Sequence, residues 1–172
     1  MSNIWRFGGI AASIVLIAFG VGAIAMGWSG RDRVGNDLAK EKIIGTPDSE
    51  IPGELVDSGS EAEKFADVIR KHTLEATGGQ TYSQMPRFLD AGGKPVDDEA
   101  QAAKDPETGQ PTPNPARDIW ISSTAFRTAL STAYFAESVA TFAIVMGSAL
   151  LLTGIGFLVL TARLLRPATP AR

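Results

Sequence analysis

The sequence predicts an all-α membrane protein, in which two long transmembrane helices form a hairpin and carry a small helical extracytoplasmic cap. The first observation behind this prediction is a pair of long apolar runs, one near each end of the chain. The second is the distribution of charge: all nineteen Asp and Glu lie between Asp32 and Glu137, and the charged residues of the two ends are arginines. Acids confined to the middle, between apolar ends, are typical of a membrane protein.

The C-terminal apolar run, Ser138–Ala162, contains twenty-five residues without a charge. A helix of that length extends about 37 Å, and the hydrocarbon core of a bilayer is about 30 Å thick. In lipid the backbone must satisfy its own hydrogen bonds, so a single run of this length forms a helix. The run predicts a C-terminal transmembrane helix at residues 138–163, followed by a cytoplasmic tail at residues 164–172.

The N-terminal apolar run, Ile4–Trp28, has Arg6 as its only charged residue, with Trp5 and Trp28 at its ends. Tryptophans are enriched at membrane–water interfaces, so the run predicts an N-terminal transmembrane helix within residues 1–28. A cleaved signal peptide is the alternative, because Ala23–Ala25 offers an A-x-A cleavage site. The run is longer than the roughly 7–15 apolar residues of a signal peptide, which favours an uncleaved anchor.

Basic residues at the ends of the spans predict the orientation in the membrane. Arg6 precedes the first span, and Arg163 and Arg166 follow the second. Short basic ends stay in the cytoplasm, which leaves residues 29–137 outside the cell. Arg31 and Arg33 favour the opposite orientation, but only weakly. The prediction is a two-span protein of the cell membrane with both termini in the cytoplasm.

The clearest element of the extracytoplasmic region, residues 29–137, is a predicted helix at residues 60–77. Ser60 and Glu63 fit a capping box at its start, and two glycines follow its end. Apolar residues recur along it at helical spacing and form one stripe, which packs or binds a partner. The candidate interaction surface comprises this stripe and the residues after the helix: Phe65, Ile69, His72, Thr81 and Tyr82.

A stretch rich in Gly, Pro and acids, residues 90–113, has almost no apolar residues and is predicted to be a mobile linker. Asn114 and Pro115 then fit the N-cap and first turn of a second long helix. No helix breaker occurs before Pro167, so this extension at residues 115–137 continues into the C-terminal span. One face is expected to pack on the polar continuation of the first helix: Ile121, Ala125, Thr128 and Thr132.

Small residues recur four apart in both predicted spans. Such spacing allows helix backbones to approach closely, either between the two spans or with a partner span. The candidate helix-packing residues are Gly8, Ala12, Gly22 and Gly147.

The side chains that could carry chemistry are few. The chain has one histidine, His72, and no cysteine, so a zinc or non-haem iron site lacks its usual ligands and no metal or other cofactor is predicted. His72 is expected to be a half-buried helix residue, with a pH-responsive contact to Glu75 or Asp67 as the alternative. Glu137, at the edge of the second span, is expected to reach water.

Two segments resemble a family of small actinobacterial membrane proteins: residues 66–82, which are similar to its most specific motif, and residues 122–139. The matching motif positions are Ala66, Asp67, Ile69, His72, Leu74, Glu75, Ala76, Gly78, Gly79, Thr81 and Tyr82. The resemblance implies an N-terminal span, a polar extracytoplasmic loop and a C-terminal span. Some members carry the label aromatic ring-opening dioxygenase, but that iron chemistry needs two histidines and a carboxylate, so the label is rejected for this chain.

These observations predict a non-enzymatic integral membrane protein that acts by protein–protein interaction, as an accessory or scaffold subunit of the cell envelope. Its expected partners are the lipid bilayer and a membrane protein or further copies of itself, and no basic patch indicates nucleic acid. An extracytoplasmic sensor that binds a small molecule or lipid is the alternative. A transport subunit ranks below both, since the spans hold few polar residues.

Overall fold

The computed structural model describes residues 2–164 and is mainly helical. Its elements are α1 (Ser2–Lys40), α2 (Gly59–Ala76), β1 (Phe88–Leu89), β2 (Pro95–Val96) and α3 (Pro115–Leu164). The chain divides into two compact units, one from Met1–Asp37 with Phe135–Arg172 and the other from Leu38–Tyr134. We call them the helix-pair unit and the central unit. The predicted cytoplasmic tail, including Arg166, lies outside the described residues except for its first position.

Both α1 and α3 are long and apolar enough to cross a membrane, each with an apolar window of mean hydropathy 2.3. In each window only 11% of the residues are buried. The core helix of a soluble protein would be mostly buried, whereas these helices expose bulky apolar side chains such as Phe19, Phe142 and Leu152. The exposure therefore fits helices that face lipid.

The apolar parts of α1 and α3 lie against each other with their backbones in contact. A Cβ atom added to Gly20 would lie 2.7 Å from the carbonyl oxygen of Gly147, and one added to Gly147 would lie 2.7 Å from that of Gly20. Towards one end of the pair Gly9 adjoins Thr161, and towards the other Gly27 adjoins Ala140. The two helices are therefore antiparallel, and glycine permits their close approach.

Buried positions in this pair recur every seven residues. In α1 they include Ser13, Gly20 and Gly27, and in α3 they include Ala140, Gly147 and Gly154. A seven-residue repeat keeps two helices in register when they wrap around each other with a left-handed twist. The repeat explains which small residues meet and which do not.

The four predicted helix-packing residues have different surroundings. Gly147 lies at the contact with α1, whereas Gly8, Ala12 and Gly22 are exposed. A Cβ atom added to Gly8 or Gly22 would meet no described atom within 4 Å. Pairs four residues apart do not follow the seven-residue repeat, which is why the spacing alone selected the wrong side of α1 for this contact. A partner span, the second use that the sequence allows, remains a prediction for them.

An ion pair joins the two helices beside their apolar parts. The Nη2 atom of Arg31 lies 2.9 Å from the Oε1 atom of Glu137, whose side chain is 16% exposed. Glu137 was expected to reach water; its side chain is partly exposed and pairs with Arg31, which lies outside the apolar run of the first helix. The sequence did not indicate the pairing because 106 residues separate the two side chains.

The central unit has a small core around α2. Phe65 packs edge-on against Phe126 of α3, with ring centroids 6.4 Å apart. The Nε atom of Arg127 donates a hydrogen bond of 3.2 Å to the backbone oxygen of Ala66. Other buried apolar residues of the unit are Leu38, Ile51, Val56, Ala62, Val68, Met85 and Leu130.

The capping box of α2 lies two residues before the predicted one. Ser58 is the N-cap, its Oγ atom accepts from the backbone N–H of Glu61 at 3.3 Å, and the Glu61 carboxylate accepts from the N–H of Ser58 at 3.0 Å. Ser58 and Ser60 are both followed by glutamate three residues later, so the pattern fits either register. Ala62 lies in the first turn of the helix and is fully buried.

The predicted linker, residues 90–113, contains more hydrogen-bonded structure than its composition indicates. β1 and β2 pair antiparallel, with Phe88 opposite Val96. The Asp90 carboxylate accepts from the backbone N–H groups of Gly92 and Lys94, each at 2.8 Å. Aspartates that bond to nearby backbone order a chain locally without apolar burial, which explains the difference. Mobility of the segment stays a prediction.

Replacement of Gly20 by alanine tests the backbone contact, and Gly22→Ala on the exposed side of α1 is the matched control. The methyl group at position 20 would overlap backbone atoms of α3, so we expect a loss of about 1–3 kcal/mol in the free energy of unfolding. Gly22→Ala should change that free energy by less than about 1 kcal/mol. Unfolding of the detergent-solubilised protein, followed by circular dichroism, measures both values. Equal effects at the two positions would contradict the contact.

Candidate functional site

The five residues of the predicted interaction surface do not form one surface. Phe65 is buried at 7% exposure, and Ile69 is half-buried. The Thr81 hydroxyl donates to the side-chain oxygen of Gln84 at 2.8 Å, while Tyr82 is 38% exposed. His72 lines neither of the grooves described below, and Tyr82 lines only the apolar one. The stripe of α2 thus serves mainly as core, and Tyr82 is the member that offers an accessible ring.

His72 belongs to a hydrogen-bonded cluster around Asp48. The Oδ2 atom of Asp48 lies 2.8 Å from Nζ of Lys71 and 2.9 Å from Nε2 of His72. Its Oδ1 atom accepts a hydrogen bond of 2.8 Å from the Thr46 hydroxyl. His72 is half-buried on α2, and the contact that was the alternative, with Glu75 or Asp67, is replaced by one with Asp48. A turn folds Asp48 back onto α2, and that tertiary contact leaves no local sequence signal.

The hydrogen bonds of this cluster shift the pKa values of Asp48 and Lys71. The Lys71 ammonium, followed by the His72 ring and the Thr46 hydroxyl, holds the pKa of Asp48 well below its usual value. In turn the Asp48 carboxylate raises the pKa of Lys71. The cluster therefore favours an ionised Asp48 and fastens the turn at residues 46–49 to α2.

An open, charged groove of about 410 Å³ adjoins the cluster. Its charged lining residues are Asp48, Glu50, Glu63, Lys64, Asp67 and Lys71. Negative carboxylates and positive ammonium groups both occur there, as on a solvated surface. Across residues 2–164 no group of three or more His, Cys, Asp or Glu side chains is placed to hold a metal ion.

Arg117 fixes the loop after α2 to the first turns of α3. Its guanidinium carbon lies 3.8 Å from the centre of the Tyr82 ring. One of its nitrogens donates to the backbone oxygens of Met85, at 2.7 Å, and Tyr82, at 3.2 Å. The side-chain amide of Asn114, which is 5% exposed, donates to the oxygen of Pro86 at 2.8 Å. These bonds hold the Tyr82 ring in place beside α3.

The Tyr82 ring forms one wall of an open apolar groove of about 480 Å³. The other lining residues belong to α3: Trp120, Ile121, Thr124 and Ala125. Aromatic and aliphatic walls without a charged lining group suit apolar side chains or an acyl chain. Trp120 was not among the predicted surface residues. The sequence did contain a signal for it, because Ile-Trp-Ile is an apolar cluster in a helix segment outside the predicted span.

The face of α3 that was expected to pack on the first helix is exposed instead. Ile121, Ala125, Thr128 and Thr132 are all accessible. The buried side of this part of α3 carries Leu130, at 2% exposure, and the Arg127 side chain that bonds to α2. These larger residues, rather than the small ones, determine which side of α3 turns inward.

The motif of residues 66–82, on which the resemblance to an actinobacterial family rests, covers most of α2 and the turn after it. Comparisons of the chain with protein-family models, with curated proteins and with solved structures found no match. Family membership therefore stays a prediction, and function has to be inferred from the surfaces of this chain.

Replacement of Asp48 by asparagine should reduce stability in a pH-dependent way. Because the pKa of Asp48 is lower in the folded protein than its usual 3.8, the ionised carboxylate stabilises the fold at neutral pH, and that contribution is lost as pH falls below about 4. Between pH 7 and pH 3 the melting temperature of the wild type should therefore fall more than that of Asp48→Asn. Asp67→Asn, on the same groove, is the control and should follow the wild type. Identical pH profiles for Asp48→Asn and the wild type would refute the cluster's role.

Proposed function

We propose that this chain is a two-span integral membrane protein that acts by protein–protein interaction, as an accessory or scaffold subunit of the cell envelope. The observation that carries the proposal is the apolar groove between Tyr82 and α3, which is open on a part of the chain outside both apolar spans. An accessible apolar surface of this kind on a folded protein usually serves a binding partner.

The proposed topology is a transmembrane hairpin of α1 and α3 with both termini in the cytoplasm and the central unit on the outer side. Three observations support it: the two apolar helices are antiparallel, they expose apolar side chains, and basic residues flank the short ends. Arg6 and Arg163 would lie at the cytoplasmic interface. The ion pair of Arg31 with Glu137 would then lie at the outer interface.

We propose binding rather than catalysis because of the chemistry that the groove offers. Its walls are an aromatic ring of Tyr82, the indole of Trp120 and aliphatic groups, which provide contact area and little acid–base chemistry. The single histidine is bonded to Asp48 in the other cluster. No cofactor is required for a groove of this kind to bind apolar side chains.

A sensor for a small molecule or lipid is the second candidate, and the groove's volume favours it. About 480 Å³ is within the range of ligand sites, which is roughly 300–1,000 Å³. Such sites usually enclose most of their ligand, whereas this groove is open along one side. An open groove is better suited to a segment of a protein, because the rest of the partner protein can shield the open side from water.

The resemblance supports the proposed order of parts and adds no activity to the proposal. Membership of the actinobacterial two-span family would agree with the order of span, polar region and span. Extradiol dioxygenase activity is not proposed, because the iron triad would need a second histidine.

Two isoleucines of α3 provide a matched test. Ile121 lines the groove and is 51% exposed, while Ile119 is 44% exposed and lies roughly 160° away around the helix. After crosslinking in living cells, complexes containing the wild-type chain or Ile119→Asp should be recovered in similar amounts. Ile121→Asp should recover about tenfold less, as expected when a charge enters the centre of an apolar interface.

Two outcomes would contradict the groove as the interaction surface. If no crosslinked complex forms with any protein, or if Ile121→Asp recovers the same complexes as Ile119→Asp, the groove is not the interaction surface. Saturable binding of an added apolar ligand, seen as quenching of tryptophan fluorescence in a variant that keeps Trp120 as its one tryptophan and abolished by Ile121→Asp, would instead favour the sensor.

A further inference from the structure

A shallow groove of about 410 Å³ lies on α1, at the level where polar residues follow its apolar run. We name it the α1 groove. Its lining residues lie on one side of the helix and are Ala25, Met26, Ser29, Gly30 and Arg33. Apolar side chains line one end and a guanidinium group lines the other. The groove is therefore amphipathic along the helix axis.

The apolar end of the α1 groove is accessible beside the packed helix pair. Met26 is 77% exposed, and Ala25 next to it is exposed as well. Gly30, at the edge of the groove, adjoins Ala140 of α3 and has no side chain to fill the space next to Met26. An unfilled recess on a helix loses van der Waals contacts, so in a bilayer an acyl chain fills it.

Arg33 forms the polar end of the α1 groove, and its donors are available to a ligand. Among residues 2–164 its exposed guanidinium forms no hydrogen bond or ion pair, and Asp37, the acid on the same side of α1, has another partner. Arg31 lies roughly 160° around the helix and pairs with Glu137 instead. A helical side chain tilts towards the N-terminus of its helix, which directs Arg33 towards Ser29 and the apolar end.

The two ends of the α1 groove are separated as the phosphate and the acyl chains of a lipid are. The Cα atom of Arg33 lies roughly 7.5 Å along the axis beyond that of Trp28, which ends the apolar run. The headgroup region of a bilayer is about 5–7 Å thick on each side of the hydrocarbon core. When the apolar run spans that core, Arg33 is at the level of the lipid phosphates and Met26 is inside the core.

We propose that the α1 groove binds one phospholipid of the outer leaflet. Its phosphate accepts hydrogen bonds from the Arg33 guanidinium and the Ser29 hydroxyl, and one acyl chain lies along Met26. Arginine suits this role because its planar fork can donate two parallel hydrogen bonds to a phosphate. The inference rests on the membrane anchoring and orientation proposed above, and it concerns a different surface from the apolar groove beside Tyr82.

A lipid fits the α1 groove better than a soluble phosphate does. A soluble phosphate would contact only the polar end, and the recess beside Met26 would stay unfilled. A phospholipid occupies both ends, and the bilayer supplies it at the level of the groove. The charge of Arg33 and the apolar surface below it thus match the two parts of one molecule.

Native mass spectrometry of the full-length protein, released from detergent, counts the lipid molecules bound to each chain. Dioleoylphosphatidylglycerol is the probe. Dioleoylglycerol has the same chains without the phosphate, and glycerophosphate has the phosphate without the chains. The wild type should bind one molecule of the phospholipid, at least about tenfold more tightly than either fragment, because only the phospholipid contacts both ends of the groove.

Matched variants test each end of the α1 groove. Arg33→Gln should weaken phospholipid binding about tenfold, whereas Arg70→Gln, which removes the same charge from the exposed side of α2, should change it less than about twofold. Ala25→Trp fills the apolar end and should also weaken binding. Ala11→Trp, the same change at an exposed position roughly 21 Å away along α1, should not. Unchanged circular dichroism would show that the variants remain folded.

Three outcomes would overturn the inference. Equal phospholipid binding by Arg33→Gln and Arg70→Gln, or equally tight binding of dioleoylglycerol, would exclude the phosphate contact. Tight binding of glycerophosphate that Arg33→Gln abolishes would replace the lipid by a soluble phosphate. None of these results alters the crosslinked complexes that depend on Ile121, so the proposed function is tested separately. A chain recovered from the soluble fraction of lysed cells would overturn both.

Discussion

The close contact between the Gly20 and Gly147 backbones is the constraint on which the helix-pair unit depends. Between two helices in lipid the hydrophobic effect provides little attraction, so van der Waals packing must hold them together. Such packing is strongest where no side chain separates the backbones. Because small residues recur every seven positions on both helices, the contact extends from Gly9 and Thr161 at one end to Gly27 and Ala140 at the other. The bulky residues are thereby directed outward.

The central unit is held by different forces. Its apolar core is small, and several of its key contacts are hydrogen bonds from side chains to backbone oxygens, such as those from Arg117, Arg127 and Asn114. In each case a polar group orders a loop or helix that has little apolar surface to bury. One consequence is that α3 uses Arg117 and Arg127 inside the unit, while Ile121 and Ala125 remain exposed. The groove beside Tyr82 results from the same contacts, since Arg117 holds the ring that forms its wall.

The long helices could be predicted from the sequence because their signals are local. A run without charges defines each apolar segment, and Asn114 with Pro115 marks the start of α3. The contacts could not be predicted to the same extent. Counting pairs four residues apart selected Gly22 rather than Gly20, since only the seven-residue repeat matches the geometry of two packed helices. For α2, two overlapping capping patterns made its start ambiguous by two residues.

The surroundings of the candidate residues could be predicted only in part, and the differences have a common cause. Tyr82 is exposed and an interaction role for it stays a prediction, whereas Phe65 is core. An apolar stripe in a sequence does not reveal whether it meets solvent or another helix. The pairing of His72 with Asp48 depends on a turn that returns to α2 after a long separation in sequence. Tertiary contacts of this kind leave no periodicity and no motif.

The most direct test of the membrane-spanning helix pair is the accessibility of single cysteines in intact cells. Ser83, exposed in the loop after α2, and Ser2, at the start of α1, are suitable positions because the chain has no other cysteine. With a maleimide that cannot cross the membrane, Ser83→Cys should be labelled in intact cells, and Ser2→Cys only after permeabilisation. Labelling of Ser2→Cys in intact cells, or protection of Ser83→Cys, would contradict the proposed arrangement, in which the N-terminus is cytoplasmic and the central unit lies outside.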